Sequence, residues 1–150
     1  MTTQIELTQP VSTERTSLRK LLWVTPLAMG LSAGANLALY AVAGAVAPEV
    51  SAWPGASMGQ IIGATIVYLL IGTVALALVA RFSSRPVRSY WIVATIGLLL
   101  SLVMPISAGL GYGAPGAPAA ELATVITLSL MHVVTYAISV PMYTRLVLAE

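Results

Sequence analysis

Apolar residues along this chain do not alternate with the period of a half-buried strand, nor do they mark a single face of an amphipathic helix. They fill four long runs almost without interruption, approximately residues 21–47, 57–80, 89–110 and 122–148, and polar residues collect between them. Each run is long enough to cross the ~30 Å hydrocarbon core of a bilayer as a helix. Helix is the expected form, because backbone groups in lipid find no water to bond. None of the runs contains Asp, Glu or Lys, and Arg145 lies near enough to the end of the fourth to reach the membrane surface. The connections PEVSAWPGAS and GYGAPGAPAAE are rich in Pro and Gly, which stop helices and permit turns. RFSSRPVR is short, so the second and third runs are expected to be antiparallel neighbours.

Charge gives these runs a direction. All seven Lys and Arg residues fall on one side: Arg15, Arg19 and Lys20 before the first run, Arg81, Arg85 and Arg88 between the second and third, and Arg145 near the end of the fourth. The other two connections carry Glu49 and Glu121 and no basic residue. Basic residues are retained on the cytoplasmic side. The expected fold is therefore an all-α integral membrane four-helix bundle, made of two in–out–in hairpins with both termini cytoplasmic, in the cell inner membrane. Residues 1–17 are polar and read as a flexible cytoplasmic tail, leaving residues 18–150 as the transmembrane domain. Ala45-Val46-Ala47 resembles a signal-peptide cleavage site, but the run before it far exceeds the ~7–15-residue core of a signal peptide, so it is read as a retained span. Trp23, Tyr90, Trp91 and Tyr143 fall where an inner aromatic belt belongs, and Trp53 and Tyr112 where an outer one does.

Composition narrows the chemistry. Of 150 residues 58% are hydrophobic and only 8% charged, against about a quarter charged in soluble domains. There is no cysteine, which removes disulfides, thiolate metal sites and thiol redox chemistry together. A single histidine cannot give a haem two axial ligands within one chain. No phosphate-binding glycine loop is present, and no acid within the runs could couple proton movement to export. No catalytic residue, metal or cofactor is assigned. The net charge of +2 reflects topology and contact with anionic headgroups, not nucleic acid binding. The expected partners are the lipid bilayer and either a second copy or another membrane protein.

Polar residues inside the runs are expensive against lipid and should face the interior. In the fourth run Ser129, His132, Thr135, Tyr136, Ser139 and Tyr143 recur at helical spacing to make one stripe, and Thr25, Ser32, Asn36 and Tyr40 make another in the first. His132, Asn36 and Tyr68 each lie about 11 residues from the outer end of their run, roughly 16 Å deep, and Ser101 is slightly shallower. These four are the candidate midplane cluster, and Ser129, Thr135, Tyr136 and Ser139 the candidate ligand-facing stripe. His132 has a structural reading, as an imidazole bonded to Asn36 or Tyr68, and a functional one, as a ligand contact or proton acceptor. Gly30 with Gly34, and Gly59 with Gly63, have the spacing that lets helix backbones approach, within the chain or between copies. Pro26, Pro105 and Pro141 are candidate kink sites.

RKLLWVTPLA, LVARFSSRPVR and LMHVVTYAISVP together resemble a family of small bacterial four-helix membrane proteins of unknown function, over approximately residues 19–146. The resemblance implies a bacterial, actinobacterial-type inner membrane protein and implies no activity. Three functional classes follow from the residues: a non-enzymatic assembly or accessory protein, a binder or carrier of a lipid-like ligand near His132, and a redox accessory or enzyme using His132.

Overall fold

A proline or a serine starts most of the helices after the first. The computed structural model describes residues 18–113 and 115–148; the expected tail 1–17, with Arg15, lies outside the described residues. After a 3-10 turn at Leu18–Lys20, helix α1 runs Leu21–Val46 with Pro26 inside its first turns. Pro48 opens the short α2, Pro48–Ala52, as proline at a helix start loses no hydrogen bond. Helix α3, Met58–Phe82, begins with a reciprocal cap: Gln60 N donates to Ser57 Oγ at 3.3 Å, and Ser57 N donates to Gln60 Oε1 at 2.8 Å. Ser83 turns the chain, accepting from Arg85 N at 3.1 Å and pairing with Ser89 Oγ at 2.7 Å. That turn sets α4, Pro86–Ser101, back alongside α3. Helices α5, Val103–Gly109, and α6, Leu122–Tyr143, complete the order, and α6 continues as a π-helical turn, Thr144–Leu148.

The third apolar run is broken where the sequence places a kink candidate. Pro105 has no N–H to give the Ser101 carbonyl, and beside the break the Ser101 hydroxyl donates to Leu98 O at 2.7 Å. The helix interrupts at Leu102 and resumes as α5, so α4 and α5 form one span, Pro86–Gly109, with a joint. Pro141 has a milder effect: α6 passes through it, and three residues later the chain widens into the π-turn. There the Thr144 hydroxyl bonds Val140 O at 2.9 Å and Pro141 O at 3.2 Å.

Among the described residues four spans are long and apolar enough to cross a membrane: Leu18–Val46, Met58–Phe82, Pro86–Gly109 and Leu122–Leu148. No strand occurs among them. At most 28% of the most apolar stretch of any span is buried, so apolar side chains also cover the outside. Leu22, Val46 and Phe82 are 81%, 83% and 76% exposed, a surface that needs lipid rather than water around it.

Helix α1 packs along both α3 and α6, and α4–α5 packs against α6 and the neighbouring end of α3, whereas α3 and α6 barely touch. Two apolar cores result. One, around Val24, Ala28, Leu76, Tyr90, Val140, Tyr143 and Val147, lies at the end where α3 turns into α4. The other, around Tyr40, Val50, Trp53, Ile61, Ala108 and Met131, lies at the opposite end. Tyr90, Tyr143 and Trp53 lie near the span ends but turn inward, away from the outer surface of the bundle. They are 3%, 0% and 8% exposed and belong to the cores, while Trp23, Trp91 and Tyr112 remain on the outside.

Trp53 joins the two long connections. Its indole Nε1 donates to Pro118 O at 2.9 Å, and Tyr40 OH donates to Ala56 O at 2.6 Å beside it. A Cβ on Gly55 would run into the ring, and one on Gly113 would meet Ala108 at 2.8 Å and the ring at 3.1 Å. Glycine at these positions is a requirement of the indole's seat.

Candidate functional site

Because α3 and α6 are held apart, a cavity of about 860 Å³ lies between α3, α4–α5 and α6, floored by Asn36 of α1. That is toward the upper end of the ~300–1,000 Å³ usual for small-molecule sites. Trp53 covers one end and Tyr90 the other. Between them the wall is largely aliphatic and aromatic, and among the described residues no Asp, Glu, Lys or Arg lines it. Lining residues on the facing edges of α3 and α4–α5 are themselves exposed, among them Tyr68, Ile71, Leu100 and Met104. The cavity therefore opens sideways, through the seam between α3 and α4–α5. Small residues make the room: a Cβ at Gly63 or Gly97 would meet nothing within 4 Å.

Two polar knots hold the surrounding helices. In the first, Asn36 Nδ2 donates to Thr65 Oγ1 at 3.1 Å and to Thr135 Oγ1 at 2.9 Å, joining α1, α3 and α6. Thr65 has already given its hydrogen to Ile61 O at 2.7 Å, so it must accept here, and this fixes which end of the amide faces it. Asn36 Oδ1 is left buried without a partner, as is Ser32 Oγ one turn before it. In the second knot Thr73 Oγ1 lies 3.3 Å from Thr25 Oγ1 and 2.9 Å from Tyr143 OH. Since Thr73 donates to Leu69 O at 2.7 Å, both neighbours donate to it, joining the same three helices nearer the Tyr90 end.

The expected midplane group is divided by these knots. Tyr68 and His132 do meet, ring centroids 5.7 Å apart and edge to face. Asn36 bonds neither of them, and its partners are the two threonines. Tyr68 OH reaches across the seam to Met104 Sδ at 3.4 Å, and Ser101 bonds its own helix. His132 Nδ1 lies 2.8 Å from Leu128 O, while Nε2 makes no hydrogen bond among the described residues and is not sealed off. Of the candidate stripe, Thr135, Tyr136 and Ser139 line the cavity with His132, and Tyr136 OH pairs with Thr95 Oγ1 at 2.8 Å. Ser129 does not line it, and its hydroxyl turns back to Val125 O at 2.7 Å.

The glycine pairs do not bring two helices of this chain together. Gly30, Gly34, Gly59 and Gly63 are all on exposed faces, and a Cβ at any of them would meet nothing within 4 Å. Close backbone approach would leave less room than that, so within the chain these are openings rather than contacts. Thr65 and Thr73, the residues that tie α3 into both knots, escape a reading centred on His132. Their spacing of about two helical turns was the available signal. Ala94, Gly97 and Ser101 likewise share one face of α4 and give the cavity its width.

Among the described residues no three His, Cys, Asp or Glu side chains gather as metal ligands would. No curated protein matches the chain, and no solved structure does. A family of unknown function matches residues 16–148. That stretch takes in all four spans, both knots and the whole cavity wall, so the chain belongs to the family of unknown function DUF6069.

Proposed function

We propose that this membrane protein binds a lipid-soluble small molecule in the cavity between α3, α4–α5 and α6, the molecule entering sideways from the bilayer. The observation that carries this is the cavity itself: about 860 Å³ of uncharged, mostly apolar space, open on a side that faces lipid. Apolar helices gain by closing such a space, and small residues at Gly63 and Gly97 keep it open. The reading includes an inner-membrane location with both termini cytoplasmic, supported by the one-sided Lys and Arg residues.

The test uses geranylgeranyl methyl ether, an uncharged chain with no hydrogen to donate, and native mass spectrometry of the protein released from lipid nanodiscs. Wild type should bind it at one copy per chain, and the Gly63→Leu/Gly97→Leu variant, which fills the space, should not. Equal binding by both proteins would show that the ether sits elsewhere and would sink the reading.

A second reading rests on a different face. Gly30 and Gly34 lie exposed on α1 with Ala38 one turn on, and the structure leaves room there for a neighbouring helix. On this reading the chain assembles with itself or a membrane partner through α1, which is compatible with a ligand site on the other side of the molecule.

A further inference from the structure

We infer that the ligand is an uncharged amphiphile held by a hydroxyl group, and that His132 Nε2 accepts its hydrogen. The inference rests on the binding role proposed above and adds the chemical class. Charge is the first constraint. A phosphate, carboxylate or ammonium in this cavity would lose its water with no countercharge on the wall to replace it.

The donor–acceptor balance is the second constraint. Leu128 O can only accept, so the hydrogen in its 2.8 Å contact with His132 is on Nδ1. In the neutral ring this tautomer leaves Nε2 with a lone pair and no hydrogen. Three hydroxyls around it have spent their hydrogens inside the protein. Tyr68 donates to Met104 Sδ, Ser101 to Leu98 O and Thr65 to Ile61 O. The hydroxyls of Thr135, which accepts from Asn36, and of Ser139 make no donation among the described residues, so the wall offers the Nε2 lone pair together with hydroxyls that can still donate. A ligand carbonyl or ether oxygen would leave Nε2 unpaired, whereas a ligand hydroxyl gives Nε2 a hydrogen and can also accept one from the wall.

Geometry holds the acceptor in place. The Leu128 contact fixes one edge of the imidazole, and the Tyr68 ring, edge to face at 5.7 Å, fixes its plane. His132 comes ten residues after Leu122, near the end of the third turn of α6 and roughly 15 Å from the helix start. The hydroxyl would therefore sit near mid-depth with its chain along the apolar wall. That arrangement suits a long-chain or isoprenoid alcohol, or a hydroquinone, and not a glycerophospholipid headgroup.

The experiment presents geranylgeraniol, its methyl ether and the corresponding aldehyde in equal amounts to the protein in nanodiscs, read by native mass spectrometry. Wild type should prefer the alcohol to the ether and to the aldehyde by about 3- to 10-fold, the range for one net hydrogen bond. His132→Phe, which keeps a ring in the space but no acceptor, should still bind the ether while the preference falls to about one. His132→Gln, whose amide oxygen can accept, should recover part of it and guards against a folding defect in the first variant. Equal binding of alcohol and ether by wild type would overturn the inference and leave the binding role standing. Binding of none of the three would remove the role itself. A preference for the aldehyde, lost in Ser139→Ala, would mean that a hydroxyl of the wall donates to the ligand and would also overturn it.

Discussion

Asn36 illustrates how little polar chemistry is needed to align apolar helices. Lipid gives no hydrophobic reason for one helix to seek another, so orientation falls to packing and to a few hydrogen bonds. Asn36, only 2% exposed, supplies two of them to two different helices. Asn36→Leu should lower stability in detergent by about 1–2 kcal/mol, measured by reversible chemical unfolding, since it deletes two bonds and strands two threonine acceptors. Thr73→Val should act in the same direction through Tyr143 and Thr25. An unchanged midpoint for both variants would mean that packing alone sets the arrangement. Depth along the run was legible from the sequence for Asn36, and its partners were not. The helical spacing of Thr25, Ser32, Asn36 and Tyr40 also marks the face of α1 that the structure buries, but neither count nor spacing says which side chains of the other helices that face will meet.

At the scale of elements, the joint in α4–α5 is the feature most open to manipulation. Pro105→Ala would restore the N–H that Ser101 O lacks and let the span run unbroken from Pro86 to Gly109. Amide exchange over Leu102–Ile106 should then slow, and the Tyr68–Met104 contact, which depends on where α5 points, should loosen. Gly97→Ala should be stabilising by up to about 1 kcal/mol, because a Cβ there meets nothing and alanine favours helix. A loss of stability would place another group in that space. The spans and the site of this break were readable, the first from uninterrupted apolar length and the second from a proline. The cavity was not, because its width is set by how far α3 stands from α6. That separation is a property of both helices together with the α1 residues wedged behind them, and of neither run by itself.

For the molecule as a whole, direction and neighbours are the outstanding properties. Reporter fusions at Arg85 and after Leu148 should read cytoplasmic and one at Pro54 should read the opposite side, as the basic residues direct; a fusion at Arg85 reading outside would invert the molecule. Gly34→Leu should leave the monomer's unfolding midpoint within about 0.5 kcal/mol, since the position faces open space. If α1 is an assembly face, the same substitution should abolish a crosslinked dimer while the monomer stays folded.

On the proposed binding role, the sideways mouth of the cavity also determines what concentration means for this protein. A site entered from water responds to ligand per litre, but one entered through the seam between α3 and α4–α5 responds to the ligand's mole fraction among its lipid neighbours. At fixed protein and ligand, diluting the bilayer with more lipid should empty the site, while diluting the whole suspension with buffer should hardly change its occupancy.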